Sequence, residues 1–243
     1  MAKIRLCVDH PLGAAQSVAL TEAQAHYLFG VMREGVGAQV LVFNGQDGEW
    51  LAEVAAVGKR GGVLRCVDQI RPQVTPQDLW LMFAPVKKAR TDFIVEKAVE
   101  LGVARIQPVQ TDFTNADRLR PDKAEAHVRE AAEQCGALHL PPVMALAPLL
   151  KLLTAWDPER RILWADESGA GRFSALSGLI AAQTPGPWAV LIGPEGGFSP
   201  SERARLKALP FVVPIALGPR ILRAETAAVA MLTLWQAHLG DWR

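Results

Sequence analysis

The feature that most constrains this chain is an alternation of short apolar runs and helical patterns between residues 79 and 239. Apolar runs of strand length that alternate with helices are typical of a parallel sheet covered on both faces. The runs predict strands at 79–86, 103–109, 161–165, 188–192 and 211–217, and the intervening patterns predict helices at 92–101, 121–135, 173–182, 199–209 and 224–239. We therefore expect an α/β domain with a mainly parallel sheet.

The first part of the chain has a different pattern, with apolar or alternating runs at 40–43, 50–57 and 63–70. Glycine-rich turns at 44–48 and 58–62 separate these runs and predict tight hairpins with positive-φ residues. Thr21 stands where it can cap a short helix ahead of them. Residues 71–76 carry two prolines and no periodicity. We expect a small β domain at 1–70, a linker at 71–76 and a second domain at 77–243.

The composition is that of an ordinary globular protein, with 50% hydrophobic and 21% charged residues. No apolar run is long enough to span a bilayer and the first residues lack the apolar stretch of a signal peptide, so we expect a cytoplasmic protein with no membrane contact. The three cysteines and five histidines show no metal-binding spacing, so no metal is expected.

The net charge of +1 does not indicate whether the protein binds nucleic acid, because phosphate binding depends on local clusters of basic residues. The two densest clusters are Lys59 with Arg60, in a predicted hairpin turn, and the segment 87–90, which contains two lysines and an arginine. Each cluster alone is more often an ordinary solvated surface than a binding site.

A glycine-rich turn follows the apolar run at 188–192 and leads directly into a helix. Ser199 and Glu202 form an S-x-x-E capping box with Pro200 at the first helical position, so the turn is held just ahead of a helix N-terminus. Ligands of open α/β sheets bind beyond the carboxyl ends of strands, where glycines allow close approach. A plain tight turn is the alternative. The turn lacks the lysine and hydroxyl residue of a P-loop, and the Rossmann dinucleotide signature is absent.

A second strand, turn and helix at 215–227 places Arg220, Arg223 and Glu225 ahead of the last helix. Arginines near a helix N-terminus can hold a phosphate or a carboxylate. The alternative is a surface Arg–Glu pair, which contributes less than about 1 kcal/mol. The residues alone leave both interpretations open.

The two turns together, LIGPEGG at 191–197 and LGPRILRAETA at 217–227, resemble the RsmE family of SPOUT methyltransferases in order and spacing. Further matches are EKAxELGV at 96–103, EQCG at 133–136, and His26 with VMR at 31–33. The resemblance covers nearly the whole chain. It implies a PUA-like β-barrel domain that helps hold RNA, followed by a SPOUT domain with a C-terminal trefoil knot. Pattern arguments could not have found the knot, because chains generally avoid threading.

The resemblance also implies S-adenosylmethionine (SAM) as the cofactor and N3 of a uridine in the 16S rRNA of the small ribosomal subunit as the methyl acceptor. Because N3 must lose its proton, a general base or an arginine that stabilises the uracil anion would assist, and the available groups are Glu195, Arg220 and Arg223, whose individual roles stay unassigned. The cofactor contacts that the resemblance implies are Glu167, Ile192, Gly193, Pro194, Glu195, Gly196, Gly197, Leu217, Gly218, Ile221, Leu222 and Thr226. The RNA contacts that we expect are Arg33, Lys59, Arg60 and Lys88.

The last predicted helix is apolar around most of its circumference, so it must be covered on several sides. Its own domain could cover it entirely. The resemblance implies that it also packs against a second subunit, giving a homodimer in which the partner completes the RNA site. The chain departs from the family at Phe113 and Ala137, where relatives commonly carry arginine.

Two other functions remain open from the residues. One is a non-catalytic RNA-binding protein that uses the β domain, and the other is a nucleotide-binding enzyme of a different reaction. Saturable binding of SAM would exclude the first, and binding of ATP or NAD in its place would favour the second.

Overall fold

The structure is a computed structural model that describes residues 4–115, 119–167 and 186–242. It divides into two units, of which the first comprises Met1–Thr75 with Arg129–Leu140 and the second comprises Pro76–Val128 with Pro141–Arg243. The predicted domains at 1–70 and 77–243 differ from this division, because they place residues 129–140 in the second domain. A helical pattern indicates which face of a helix is apolar, but not which core covers it. The predicted helix at 173–182 lies outside the described residues.

A five-stranded sheet forms the first unit in the described part of the chain, in the order β1-β3-β4-β5-β2. Its strands are β1 (Arg5–Cys7), β2 (Ser17–Leu20), β3 (Gln39–Phe43), β4 (Glu49–Val57) and β5 (Gly62–Arg71). All neighbouring pairs are antiparallel except β1 with β3. The three predicted strands are present, each one residue longer at its start. The sequence analysis missed β1 and β2, because runs of three and four residues are too short to show periodicity.

A short helix precedes β3, consisting of α1 (Glu22–Ala25) and a π-helical segment at His26–Val31. Thr21 caps α1 as predicted, since its hydroxyl accepts a hydrogen bond from the backbone N–H of Gln24 at 3.3 Å. Buried side chains such as Val18, Leu28 and Val40 fill the core beneath the sheet.

The two predicted hairpin turns differ in their backbone. Gly45 and Gly48 adopt φ values of +82° and +78°, as expected for the first turn. In the second turn no glycine has a positive φ, so that part of the prediction was wrong. The turn closes instead through a hydrogen bond from Gly58 N to Gly61 O at 2.9 Å, which ordinary backbone angles allow.

The motif at 133–136 has a structural role in the first unit. The Glu133 carboxylate accepts a hydrogen bond from the backbone N–H of Cys7 at 2.8 Å. Burial raises the pKa of Glu133, and it raises the pKa of the Cys7 thiol to about 11. Arg5 donates from Nη2 to the Ala137 carbonyl at 3.1 Å. Ala137 therefore contributes a backbone acceptor here.

A buried ion-pair cluster surrounds Glu49. Arg5 Nε lies 2.6 Å and Arg71 Nε 2.9 Å from its two carboxylate oxygens, and the Arg5 guanidinium stacks 4.3 Å from the Phe43 ring centre. Burial alone raises the pKa of Glu49, but the hydrogen bonds from Arg71 and Arg5 outweigh burial and hold the pKa below its ordinary value. The carboxylate thus stays charged inside the unit.

The second unit contains a six-stranded sheet in the order β11-β9-β10-β6-β7-β8, within the described residues. All of its neighbouring pairs are parallel, which confirms the mainly parallel α/β prediction. Its strands are β6 (Leu79–Phe83), β7 (Arg105–Gln110), β8 (Ala147–Pro148), β9 (Arg161–Ala165), β10 (Trp188–Ile192) and β11 (Val212–Ile215).

The described helices of this unit are α2 (Lys88–Glu100), α4 (Leu149–Thr154), α5 (Pro200–Lys207) and α6 (Ala224–His238), with the first part of α3 (Pro121–Cys135), whose residues from Arg129 onward belong to the first unit. Helix α2 begins four residues before its predicted start, and α4 was not predicted. Helix α6 packs against α2 and β10. The amide of buried Gln236 donates to the Leu101 carbonyl at 2.6 Å, which ties α6 to the end of α2.

The path of the chain between β9 and β10 includes residues 168–185, which lie outside the described residues. The trefoil knot that the resemblance implies is therefore not traced here. None of the described helices has the length and apolar character needed to cross a membrane.

Candidate cofactor site and RNA-facing surfaces

A cavity of about 280 Å³ lies at the carboxyl ends of β9, β10 and β11. Among the described residues, it is lined by 165–167, 192–197, 215–218 and 220–222, together with Ala224 and Ala227 from the start of α6. This is the edge of a parallel sheet at which ligands bind. The predicted cofactor residues that line the cavity are Glu167, Ile192, Gly193, Pro194, Glu195, Gly196, Gly197, Leu217, Gly218, Ile221 and Leu222.

The glycine-rich turn of the cavity is fixed by the N-terminus of α5. The Glu202 carboxylate, which is 1% exposed, accepts from Ser199 N at 2.9 Å and from Asp112 N at 3.0 Å. Glu202 N donates back to the Ser199 hydroxyl at 3.3 Å, which completes the predicted capping box. Because Asp112 follows β7, the same carboxylate also ties a neighbouring loop to the turn.

All three glycines of the turn have close neighbours. A Cβ on Gly193 would lie 2.7 Å from the Phe198 ring. Gly197 adopts φ +69°, and a Cβ there would overlap the Glu167 carboxylate and lie 3.1 Å from Arg203 Nη2. A Cβ on Gly196 would lie 3.2 Å from the Cβ of Phe113. Phe113 therefore covers the outside of the turn with an apolar ring. Glycine is favoured at these positions because neighbouring side chains lie where a Cβ would be.

Two carboxylates from the end of β9 form another wall of the cavity. Arg203 Nη1 lies 2.6 Å from Asp166 Oδ1, and Arg203 Nη2 pairs with Glu167. Arg203 Nε also donates to the Phe198 carbonyl at 3.0 Å. Arg203 thus positions both acids against the turn, where their oxygens can accept hydrogen bonds from a ligand.

Arg90 lies between the two predicted loops. Its Nη1 lies 3.1 Å from Glu195 in the first loop, and its Nε lies 3.5 Å from Glu225 in the second. The other oxygen of Glu225, Oε2, is buried and has no hydrogen-bond partner in the described structure. A buried acceptor without a partner is unfavourable, so it marks a place where a donor is expected.

The sequence analysis did not assign Arg90 and Glu225 to the site. Glu225 belongs to the second motif, and Arg90 follows the first strand of the parallel sheet. The carboxyl ends of parallel strands meet at one edge, and this rule could have brought Arg90 to the site.

The predicted arginines differ in position. Arg220 is exposed and lines the cavity. Arg223, the N-cap residue of α6, and Thr226, one turn into α6, are exposed and do not line it. Ile221 lines the cavity with 78% of its surface exposed.

The predicted RNA contacts lie in both units. In the first unit, Lys59 and Arg60 line a groove of about 720 Å³ with His26. Arg33 is exposed in the same unit and adopts φ +58°, an uncommon conformation for a residue other than glycine. In the second unit, Lys88 is exposed and pairs with Asp92.

Comparison with known proteins supports the assignment made from the motifs. A family model described as an RNA methyltransferase domain matches residues 73–236, and one described as an RNA methyltransferase PUA domain matches residues 20–65. The chain is 32% identical over 76% of its length to ribosomal RNA small subunit methyltransferase E of Mycobacterium bovis, covering 74% of that protein. The chain belongs to the RsmE family of RNA methyltransferases.

Two further matches cover nearly the whole length of this chain. Ribosomal RNA small subunit methyltransferase E of Rickettsia conorii is 29% identical over 95% of the chain and 88% of its own length. A solved structure from Legionella pneumophila, in complex with SAM, has a TM-score of 0.82 and 26% identity and covers 98% of both chains. These matches confirm the SPOUT-type parallel sheet and the PUA-like domain.

The residues that line the cavity are chemically suited to bind SAM. Two loops that are rich in glycine line the space, and the carboxylates of Asp166, Glu167 and Glu195 in its lining can accept hydrogen bonds from a ligand. No metal-binding group of three His, Cys, Asp or Glu side chains occurs among the described residues.

Proposed function

We propose that this chain transfers a methyl group from SAM to N3 of a specific uridine in 16S rRNA, acting in the cytoplasm as a homodimer. The observation that carries the proposal is the cavity at the carboxyl ends of β9 to β11, built from both family motifs. Membership in the RsmE family and the names of its relatives support the RNA substrate.

The proposed reaction is an in-line displacement. SAM supplies an activated methyl group on a sulfonium, so a bond from N3 to the methyl carbon forms as the carbon–sulfur bond breaks. The N3 proton leaves to a base or to solvent. The chain's part is to align the two reactants and to stabilise the charge that changes during transfer.

We assign the catalytic contacts to Glu195, Arg220 and Arg223. Arginine can stabilise a uracil that has lost its N3 proton, and a carboxylate can accept that proton. The Arg90 guanidinium holds Glu195 beside the cavity, and Glu225 adds a second carboxylate with one unpartnered oxygen. Arg90 is thus a positioning residue for the acids.

The cofactor contacts in this proposal are those of the resemblance, with Thr226 the residue least supported because it is exposed outside the cavity lining. The Gly196→Val variant tests the turn, because its Cβ would already lie 3.2 Å from Phe113 and the added methyl groups must displace the turn or extend into the cavity that Gly196 lines. Calorimetry should detect no SAM binding to the folded variant. Gly35→Val is the matched control, since no atom lies within 4 Å of a Cβ at Gly35.

RNA binding is proposed to use Arg33, Lys59 and Arg60 of the first unit and Lys88 of the second. These cations carry no sequence information by themselves, because phosphate contacts position a strand without reading its bases. The partner subunit is proposed to cover Ile221 and the half-buried Val229 and Leu234 of α6, which one subunit leaves partly exposed.

Mass spectrometry of 16S rRNA tests the function directly. A strain that lacks the gene should lose methylation of one uridine at N3, and the wild-type gene should restore it. A Gly196→Val gene should not restore it. An unchanged set of modified nucleotides would favour the non-catalytic RNA-binding alternative, which SAM titration of the purified protein then tests independently.

A further inference from the structure

A second cavity lies beside the cofactor cavity in the second unit, with a volume of about 740 Å³. Its walls come from the loop after β6, the first turns of α2, and the start of α3 with the residues just before it. Glu195 lines both cavities, and Arg90, its ion-pair partner, lines only the second. The two cavities therefore share a wall.

The second cavity has a strongly basic lining in a chain that is nearly neutral overall. Among the described residues, five cationic and two acidic residues line it: Lys87, Lys88, Arg90, Arg120, Lys123, Asp92 and Glu195. The excess of three positive charges contrasts with the net charge of +1 for the whole protein. Like charges in one concave surface repel each other, so an anion bound there would be stabilised.

Three of these cations have a carboxylate partner, whereas no ion pair within the described residues includes Lys87 or Lys123. Lys88 pairs with Asp92, Arg90 with Glu195, and Arg120 with Asp122. Lys87 is exposed at the rim and has no acidic partner among the described residues. Its charge is available to an incoming anion.

The floor of the cavity is apolar. Pro85, Val86, Val95 and Ala124 are buried side chains that line it. The hydroxyl of buried Thr91 is satisfied by the backbone of Val86, with N···O and O···O distances of 3.0 Å, so it presents no unmet polar group. An apolar floor under a cationic rim matches a nucleotide, which has a flat base or sugar and an anionic phosphate.

We propose that this second cavity holds a nucleotide adjacent to the target uridine, with its phosphate at Lys87 and Lys123 and its nucleoside on the apolar floor. This inference rests on the proposed function. The Arg90–Glu195 pair in the shared wall separates a base in this cavity from the methyl donor, so the occupant is a neighbour of the target. An RNA strand whose target base reaches the methyl donor at the mouth of the cofactor cavity would place the neighbouring nucleotide in the second cavity.

Charge reversal at the rim tests the proposal. Lys87→Glu and Lys123→Glu should each weaken binding of a fluorescently labelled fragment of 16S rRNA about tenfold at low salt, measured by anisotropy. Each should also reduce the slope of log affinity against log salt by about 0.7 to 0.9, the value for one lost phosphate contact. Lys151→Glu is the matched control, because Lys151 is an exposed lysine of the same unit outside both cavities.

Measurements of SAM affinity and of thermal unfolding show whether a variant has lost only its RNA contact or has lost its folded structure as well. Both should equal those of wild type, because neither lysine lines the cofactor cavity. A salt slope equal to that of wild type in Lys87→Glu would overturn the inference, as would saturable, Lys87-dependent binding of uridine monophosphate alone, which would indicate a free-nucleotide site. If wild type binds the RNA fragment but methylates no rRNA, the proposed function fails while the rim measurement still stands.

Discussion

Replacing Gly197 with alanine should test how the cofactor turn depends on its backbone. Gly197 adopts φ +69°, a left-handed conformation that costs a residue with a Cβ about 1–2 kcal/mol. The added Cβ would also overlap the Glu167 carboxylate. That carboxylate is the end of a flexible side chain, so it would move away and weaken its ion pair with Arg203.

The two effects add to a modest loss of stability and a larger loss of binding. The Glu167–Arg203 pair is partly exposed, with side-chain exposures of 32% and 21%, so it contributes at most about 1 kcal/mol. The free energy of unfolding should therefore fall by about 1–3 kcal/mol, and Tm by about 2–4 °C for each kcal/mol. Moving Glu167 out of the cavity lining should weaken SAM binding about tenfold, equivalent to about 1.4 kcal/mol.

Urea unfolding followed by tryptophan fluorescence would measure the stability, because six of the seven tryptophans lie in the second unit. Calorimetry would measure the SAM affinity. Gly196→Ala is the matched control, because Gly196 has no positive φ and its new Cβ meets only the side chain of Phe113, at 3.2 Å. Equal unfolding free energies and equal SAM affinities in the two variants would refute the reasoning.

Three further predictions concern groups outside the turn. Arg223→Ala should lower the single-turnover methylation rate about 100-fold with little change in SAM affinity, because Arg223 does not line the cofactor cavity. Equal losses of methylation rate and SAM affinity would indicate that Arg223 contacts SAM instead of the RNA. Glu225→Gln, which keeps the size but removes the charge beside Arg90, should also lower the rate about 100-fold, whereas an unchanged rate would limit Glu225 to holding Arg90 in place. Glu49→Gln should destabilise the first unit by about 2 kcal/mol at pH 7. Because the pKa of Glu49 is lowered in the folded state, its stabilising contribution is present above the ordinary value of 4.5 and is lost as pH falls through the folded pKa. The difference from wild type, measured by urea unfolding, should therefore narrow below pH 4.5, and a constant difference would contradict the ion-pair explanation.

Capping and turn chemistry were the local features best predicted from sequence. Ser199, Pro200 and Glu202 marked the start of α5, and the structure has the expected capping box there. Such signals operate within four residues, so the local sequence contains all the interacting groups. The short strands β1 and β2, by contrast, depend on pairing with distant strands and left no detectable pattern.

The sequence predicted the two loops of the site separately. Only the fold shows that Arg90 connects them. Arg90 is more than 100 positions from Glu195 and from Glu225 in the sequence, yet it contacts both, as the ion pairs record. No spacing rule links residues at that distance. Parallel pairing of β6 with β10 brings them together, because it aligns the carboxyl ends of the two strands.

The sequence by itself determined the α/β class of the second unit, the positions of the two glycine-rich turns and the family, because these depend on periodicity and on contiguous motifs. Only the tertiary structure decided that residues 129–140 belong to the first unit, that Phe113 covers Gly196 and that five cations share one cavity. Those features depend on which distant segments are packed together. Packing is set by the complementarity of whole surfaces, which no local window of sequence contains.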